Sequence, residues 1–223
     1  MTATCEAGVR FIASRLPRCT YLGVEDQLHR VAATSATLYR MTNVPQWIHE
    51  VLRFWFEETR PEAWFTRDET VDAEIRKRFG ALHASLTEKV PASVTQTPLG
   101  ALATVIVLDQ FSRNLYRNSP RAYATDATAL AIAQEAIQAG FDRELNVQQR
   151  MFLYMPFQHS EDRDVQRRSV ELFEALGDAK ALDYARQHRD IIERFGRFPH
   201  RNRVLGRETT PAEAEFLKNH RGF

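Results

Sequence analysis

The sequence predicts an all-α fold of antiparallel helix pairs, arranged as a tetratricopeptide-like, right-handed helical array. Three observations support this prediction. After residue 40, apolar residues recur at steps of three and four, which is the spacing of one helix face. Capping residues, first-turn prolines and glycines mark where the helices begin and end. Paired helices repeat roughly every 35–40 residues, close to the length of a tetratricopeptide repeat.

The first two predicted helices begin at recognisable caps. Thr42 or Asn43 can cap the first helix, and Pro45 suits its first turn. The apolar stripe of this helix consists of Trp47, Val51, Phe54 and Trp55. Asp68 can cap the second helix. The apolar positions of the second helix are Val71, Ile75, Phe79, Leu82 and Leu86.

The third and fourth predicted helices each begin with a hydroxyl residue followed by proline. Thr97 and Pro98 open the third helix, which contains the β-branched run "ATVIVL". Because this run lies inside a capped stretch of about twenty residues, it predicts a buried helix rather than a strand. Ser119 and Pro120 open the fourth helix, which is expected to end at Gly140.

Four more predicted helices follow. Asn146 and Gln149 have the spacing of a capping box, and their helix is expected to end at Pro156. Ser160 opens the next helix. The glycines expected to end that helix and its successor are Gly177 and Gly196. The segment Thr210–Glu213 opens a last short helix.

Residues 1–40 differ from the remainder of the chain. Their apolar residues have no sustained period, and the segment "VAATSATLYR" is small and polar. The helix-start pattern that follows Met41 places a boundary at that point. We therefore predict a poorly packed N-terminal extension over residues 1–40 and a single helical domain over residues 41–223.

Composition argues against several functional classes. Thirty basic and 29 acidic side chains give a net charge of +1, so no overall attraction to nucleic acid is expected. The sequence has no apolar run of about 18 residues and no secretory signal, which predicts a cytoplasmic protein that does not span a membrane. Cys5 and Cys19 lack metal or redox spacing, and no phosphate-binding glycine motif occurs. No cofactor and no metal site are predicted, and the oligomeric state stays open.

The segment "LDQFSRN" is the first candidate site. On a helix, Asp109 and Arg113 are four residues apart, and so are Gln110 and Asn114. The preceding stretch "ALATVIVL" is apolar on every side, so these charged groups are expected to lie near the core, where they need partners. Two interpretations remain open: an ion pair that connects neighbouring helices, or the wall of a polar pocket.

The segment "MPFQHSED" is the second candidate site, because His159, Glu161 and Asp162 cluster at a helix start. One interpretation is a capped N-terminus with acids placed favourably on the helix dipole. The other makes His159 and an acid a general acid–base pair or metal ligands. No tight metal-ligand spacing exists here. His188 lies near an apolar stripe and is interpreted as a hydrogen-bonded core residue.

The segment "FGRFPHRNRVLGR", from Phe195 to Arg207, concentrates positive charge and contains no acid. With the preceding residue it contributes five arginines: Arg194, Arg197, Arg201, Arg203 and Arg207. A guanidinium group suits bidentate contact with carboxylate or phosphate. Either internal acids or a bound anion could therefore neutralise this segment, called here the arginine loop.

Four segments of this chain carry a family resemblance, and they occur in the family's order. They are "VLRFWF" at Val51–Phe56, "LDQFSRNLYR" at Leu108–Arg117, "MFLYMPFQHSED" at Met151–Asp162 and "FGRFPHRNRVLGRETT" at Phe195–Thr210. The sequence resembles the bacterial family called domain of unknown function 924, over about Met41 to Leu217. This resemblance implies an all-helical, tetratricopeptide-like fold. It implies no activity, and residues 1–40 have no counterpart in it.

Two functional hypotheses follow. The first, preferred because no catalytic spacing is visible, is a protein that binds an anionic small molecule or peptide through its carboxylate or phosphate. The ligand-binding residues would be Arg113, Asn114, Arg194, Arg197, His200, Arg201, Asn202 and Arg207. The alternative is an enzyme acting on an anionic substrate, with metal assistance as one variant. In that case His159 or His200 would transfer protons, and Glu161 or Asp109 would orient the imidazole.

Geometry distinguishes the two hypotheses. An enzyme needs an imidazole and a carboxylate within hydrogen-bond reach of each other, in a cleft with room for substrate, whereas a binding protein needs only arginines that face open space. We expect the three candidate segments to meet in the fold, because their charges are complementary. We also expect at least two of four arginines to lack a carboxylate partner and to face a shared cavity with His200. These arginines are Arg197, Arg201, Arg203 and Arg207.

Overall fold

The computed structural model describes residues 45–220 and Gly222. The predicted extension over residues 1–40 and the predicted cap at Thr42 or Asn43 lie outside the described residues. Within the described ranges the chain is helical and has no strand, which confirms the all-α class. The α-helices are α1 (Gln46–Arg53), α2 (Glu69–Glu88), α3 (Pro98–Val105), α4 (Ser112–Leu115), α5 (Asp126–Gln138), α6 (Val147–His159), α7 (Arg163–Leu176), α8 (Ala179–Phe195) and α9 (Pro211–Asn219).

Other helical segments connect these elements. Two are π-helical: Phe54–Glu58 directly continues α1, and Ile106–Phe111 joins α3 to α4. The 3₁₀ segments are Pro61–Trp64, Ala92–Val94, Pro120–Tyr123, Phe141–Glu144 and Pro199–Arg201. π-Helical turns are rare and are often found at functional sites. The second one contains Asp109, the acid of the first candidate site.

The core is centred on α3, which packs against α1, α5 and α6. The β-branched run "ATVIVL" is fully buried and helical, so the prediction of a buried helix is confirmed. Gly100 permits a close approach at the start of α3, since an added Cβ would lie 1.8 Å from the carbonyl oxygen of Val94. Further along the chain, α7 packs against both α6 and α8.

An aromatic cluster fills the space between the first π-helical segment and α6. Phe152 of α6 is fully buried, and its ring centroid lies 5.0 Å from that of Trp64 and 5.5 Å from that of Trp55. The ring centroids of Phe56 and Phe65 lie 5.6 and 6.3 Å from that of Phe152. Most of these pairs are edge-on, which is a favourable arrangement for aromatic rings.

The predicted end of a helix at Pro156 is wrong. Helix α6 continues to His159 with the proline inside its last turns, where burial of the neighbouring side chains outweighs the local cost of proline. The end of α6 is capped by the side chain of Gln166 from α7. Its amide donates to the carbonyl oxygens of Gln158 and Ser160, both at 2.7 Å. This capping holds the His159 end of α6 in place.

Two predicted helix starts also need correction. Asp162, rather than Ser160, caps α7 by accepting hydrogen bonds from the backbone of Asp164 and Val165. Ser119 caps only a 3₁₀ turn, and α5 begins later, at Asp126. The later start matters because it places the carboxylate of Asp126 near the first candidate site. Among the described residues, no helix is both long and apolar enough to cross a membrane.

Candidate functional site

Asp109 is the buried centre of the site. The π-helical segment places this carboxylate in the interior, where its exposed fraction is 0%. Its Oδ1 atom lies 2.7 Å from Nδ1 of His159 and 3.3 Å from Nη1 of Arg113. Its Oδ2 atom accepts a hydrogen bond of 2.6 Å from the amide of Gln110. Both oxygens therefore have donors, as a buried carboxylate requires.

The environment fixes the protonation of this pair. Burial by itself would raise the pKa of Asp109, but the charge of Arg113 and the hydrogen bonds from His159 and Gln110 outweigh burial and hold that pKa below its usual range. Burial and the charge of Arg113 lower the pKa of His159, against the opposing effect of Asp109. At neutral pH the imidazole is therefore neutral, and its Nδ1–H donates to the ionised carboxylate.

This hydrogen bond determines what the other nitrogen of His159 can do. With the proton on Nδ1, Nε2 carries a lone pair. No group in the described part of the chain forms a hydrogen bond with Nε2, and the side chain keeps 16% of its surface exposed. An imidazole oriented by a buried carboxylate, with its second nitrogen open, is the arrangement of a general base.

Two arginines share one carboxylate beside this pair. Arg113 contacts Asp126 at 3.1 Å, and Nη1 of Arg201 from the arginine loop contacts the same carboxylate at 3.4 Å. Arg201 is only 7% exposed, and its guanidinium lies 4.6 Å from the ring centroids of both Tyr123 and Phe198. Burial and the charge of Arg113 lower the pKa of Arg201. Two cations therefore converge on Asp126.

Glu161 connects the arginine loop to the end of α6. Its carboxylate accepts hydrogen bonds of 2.9 Å from Arg207 and from the backbone N–H of Phe198. Burial would raise the pKa of Glu161, but these donors lower it. The contact between Arg207 and Glu161 confirms that the arginine loop meets the second candidate segment, and the contact between Asp109 and His159 joins the second to the first.

The prediction that at least two of four loop arginines lack a carboxylate partner is wrong. Arg197 pairs with Glu213 at 2.6 Å, Arg201 contacts Asp126 and Arg207 pairs with Glu161. Two of these acids, Asp126 on α5 and Glu213 on α9, lie outside the three candidate segments. The fourth arginine, Arg203, is exposed. The loop is thus held internally by acids from α5, from α9 and from the segment between α6 and α7.

The remaining predicted residues make other contacts. Asn114 donates to Asp72 at 2.8 Å, and Arg194 lies over the rings of Phe195 and Phe216. Asn202 is fully buried, and its amide contacts Thr209. Contacts that tie the structure together thus explain Asn114, Arg194, Arg197 and Asn202. Asp109 contacts both His159 and Arg113, and Arg201 joins this group through Asp126, which Arg113 also contacts.

Sequence reasoning missed three groups of the site. Asp126 was overlooked because its helix was expected to begin at Ser119. Tyr123 and Phe198, which sandwich Arg201, had no visible pattern of their own. The interpretation of His188 as a buried histidine agrees with its 5% exposure, and its Nδ1 contacts the carbonyl oxygen of Tyr184 at 2.7 Å. Its ring centroid lies 6.3 Å from that of His159.

Lowering the pH from about 6.5 to about 4 is expected to destabilise the fold. Burial lowers the pKa of His188 to about 3 and that of His200 to about 4, and it also lowers the pKa of His159. An unfolded histidine titrates near pH 6.5, so below that pH the unfolded chain binds protons that the folded chain does not. Each such histidine removes up to about 1.4 kcal/mol of stability per pH unit.

Urea unfolding at several pH values checks this prediction. Replacing His188 by glutamine should make the free energy of unfolding depend less steeply on pH, whereas His49→Gln, at an exposed position, should leave the slope unchanged. A free energy of unfolding that stays constant or rises as the pH falls through this window would contradict the assignment of neutral, buried histidines.

Comparisons with known proteins place the chain in a family. Residues 51–221 match the family model described as "Bacterial protein of unknown function (DUF924)". A solved structure, of the protein of unknown function ATU0120 from Agrobacterium tumefaciens, is 38% identical in sequence, with a TM-score of 0.75. The similarity covers 78% of this chain and 98% of that one. No curated protein matches. Within the described residues, no group of three or more His, Cys, Asp or Glu side chains could hold a metal ion. Because the family model spans most of the chain, and both the all-helical fold and the solved structure agree with it, the chain belongs to the DUF924 family.

Proposed function

We propose that this protein is an enzyme that uses His159 as a general base on an anionic substrate. The observation that carries the proposal is the 2.7 Å contact between Nδ1 of His159 and Oδ1 of the fully buried Asp109, in an imidazole whose Nε2 has no hydrogen-bond partner among the described residues. This geometry supplies the first part of what an enzyme needs, an imidazole and a carboxylate within hydrogen-bond reach. The hypothesis of a simple binding protein is weakened, because three of the four loop arginines have internal partners.

Each residue has a defined role in this proposal. Nε2 of His159 removes a proton from the substrate or from an attacking water molecule. Asp109 remains ionised and stabilises the imidazolium that results. Arg113 and Arg201 supply positive charge for the anionic group of the substrate or for charge that develops in the transition state. The tetratricopeptide-like array of helix pairs and the cytoplasmic location predicted from the sequence are part of this proposal.

Replacing His159 by glutamine is expected to lower the turnover of any substrate by about 10²–10⁴-fold, the usual contribution of a general base. Initial rates on a panel of aryl phosphates, phosphate monoesters and carboxylic esters provide the measurement. His49→Gln is the matched control at an exposed position. Equal rates for the wild type and His159→Gln on every substrate that is turned over would refute the role of His159.

A second measurement does not require a substrate. Diethyl pyrocarbonate acylates unprotonated imidazole nitrogens, so the open Nε2 of His159 should be modified in the folded protein at neutral pH. Peptide mass spectrometry locates the modified residue. If His159 stays unmodified while the exposed His49 reacts, Nε2 is not accessible and the proposal fails.

Anion binding without catalysis is the second candidate function, and one observation supports it. The buried Nε atom of Arg201 has no hydrogen-bond partner among the described residues, so it could donate to a bound carboxylate or phosphate. A ligand at 100 times its dissociation constant would add about 2.7 kcal/mol of stability. Thermal unfolding with added phosphate, for the wild type and for Arg201→Met, measures this effect directly.

A further inference from the structure

A cavity of about 240 Å³ lies between α2 and the segment that follows α4. Helix α2 contributes His83, Ala84, Thr87 and Glu88 to its wall. Tyr116 and Arg121 lie on the other side. His159 is not among the lining residues, so this cavity is separate from the proposed catalytic site. Its volume is below the range of about 300–1,000 Å³ typical of drug-sized ligands, which favours a small metabolite.

Arg121 provides a positioned cation in this cavity. Its Nη2 donates to the hydroxyl oxygen of Tyr116 at 2.8 Å, and its guanidinium carbon lies 3.9 Å from the centroid of that ring. These contacts restrict the side chain before any ligand binds. In the described part of the chain no carboxylate forms an ion pair with Arg121. Its other N–H groups are therefore available to a carboxylate in the fork geometry that guanidinium favours.

The hydrogen bonds behind His83 define its tautomer. The hydroxyl of Ser112 donates to the carbonyl oxygen of Leu108 at 2.6 Å, because a carbonyl can only accept. With the Ser112 proton assigned to Leu108, Nε2 of His83, which lies 2.7 Å from the same hydroxyl oxygen, donates in that contact. Its proton is consequently on Nε2, and Nδ1 carries a lone pair. Burial and the charge of Arg121 lower the pKa of His83, which keeps the ring neutral.

Among the described residues, no group donates a hydrogen bond to this lone pair. The hydroxyl of Thr87 lies 3.4 Å from Nδ1, but it donates to the backbone carbonyl of His83 at 2.8 Å. Since Thr87 lines the cavity, the Nδ1 edge of the imidazole is on the cavity side. Glu88 adds an exposed carboxylate that forms no ion pair within the described ranges. The cavity therefore offers a cation, an anion and a neutral acceptor.

We propose that this cavity binds a small amino acid. Its carboxylate contacts Arg121, and its ammonium group donates to Nδ1 of His83 and to Glu88. A zwitterion matches all three groups, whereas a simple carboxylate leaves the acceptors without donors and a simple amine leaves Arg121 without an acceptor. The proposal is independent of the catalytic role assigned to His159.

The test is a titration of the full chain with L-alanine, followed by amide chemical shifts in NMR. Saturable shifts are expected at residues around His83 and Ala84. Acetate and methylamine, each carrying one half of the zwitterion, should bind at least about tenfold more weakly. Arg121→Gln should weaken the binding of L-alanine by at least about tenfold. Arg60 lines a different cavity, so Arg60→Gln should leave the affinity for L-alanine unchanged.

A steric variant completes the design. Ala84→Leu places a larger side chain in the cavity and should abolish binding, while Ala81→Leu, at an exposed position of the same helix that does not line the cavity, should not. Three results would overturn the proposal. They are an absence of saturation at the highest soluble concentration, acetate binding as tightly as L-alanine, and an affinity unaffected by Arg121→Gln or Ala84→Leu.

Discussion

Replacing Asp109 by alanine is expected to lower the free energy of unfolding by about 3–5 kcal/mol. The carboxylate is completely buried and serves three donors at once, from His159, Arg113 and Gln110. Without it, Arg113 and Arg201 would share Asp126 as the one carboxylate left between them in the described site. An excess cation in a buried position, together with unsatisfied donors, is a large destabilising change.

Urea denaturation of the variant measures this loss. Asp109→Asn is the informative companion, because it keeps the shape and one acceptor but removes the charge, and it should still lose most of the same stability. Asp164→Ala is the matched control, since that carboxylate is 81% exposed and its pairing with Arg167 should contribute less than about 1 kcal/mol. A loss below about 1 kcal/mol for Asp109→Ala would show that the charge is not needed for folding.

Replacing Phe152 by alanine should cost about 3–5 kcal/mol, the usual range for truncating a fully buried phenylalanine. The ring lies at the centre of the aromatic cluster and contacts both Trp55 and Trp64. Its removal leaves a cavity and also loses several edge-on ring contacts. For a chain of this size, such a loss lowers the melting temperature by about 6–20 °C.

Calorimetric melting checks this prediction against a variant in the same cluster. Phe65 stacks on Phe152 but is 62% exposed. Phe65→Ala should therefore change the free energy of unfolding by about 0.5 kcal/mol or less, as is usual for surface sites. Equal losses for the two variants would mean that ring contacts, rather than burial, determine the stability of this region.

The helices were predictable because their signals are local. Asp68, Thr97, Asn146 and Thr210 cap helices at the expected places, and the capping boxes of the last two are both formed. Pro156 misled the prediction because its effect depends on a residue ten positions later. The side chain of Gln166 satisfies the carbonyl groups at the end of α6, and nothing in the local sequence indicates that contact.

The site was predictable in composition but not in pairing. The apolar stretch before Asp109 correctly indicated a buried carboxylate in need of partners, and complementary charge correctly indicated that distant segments meet. Which base pairs with which acid depends on helix packing. Asp126 on α5 and Glu213 on α9 pair with loop arginines that lie far from them in the sequence. The π-helical turn that aims Asp109 inward has no signal in a single sequence.

The charge balance around Asp126 has a thermodynamic consequence. Two guanidinium groups and two carboxylates cancel here, and the neutral His159 adds nothing. A bound anion would leave this buried region with an excess negative charge, and uptake of one proton at Nε2 of His159 would cancel it. Binding and protonation are then reciprocally linked, so each raises the affinity for the other. A bound anionic substrate therefore raises the proton affinity of Nε2 of His159, and the proton that Nε2 removes from the substrate or from water restores the neutrality of the region.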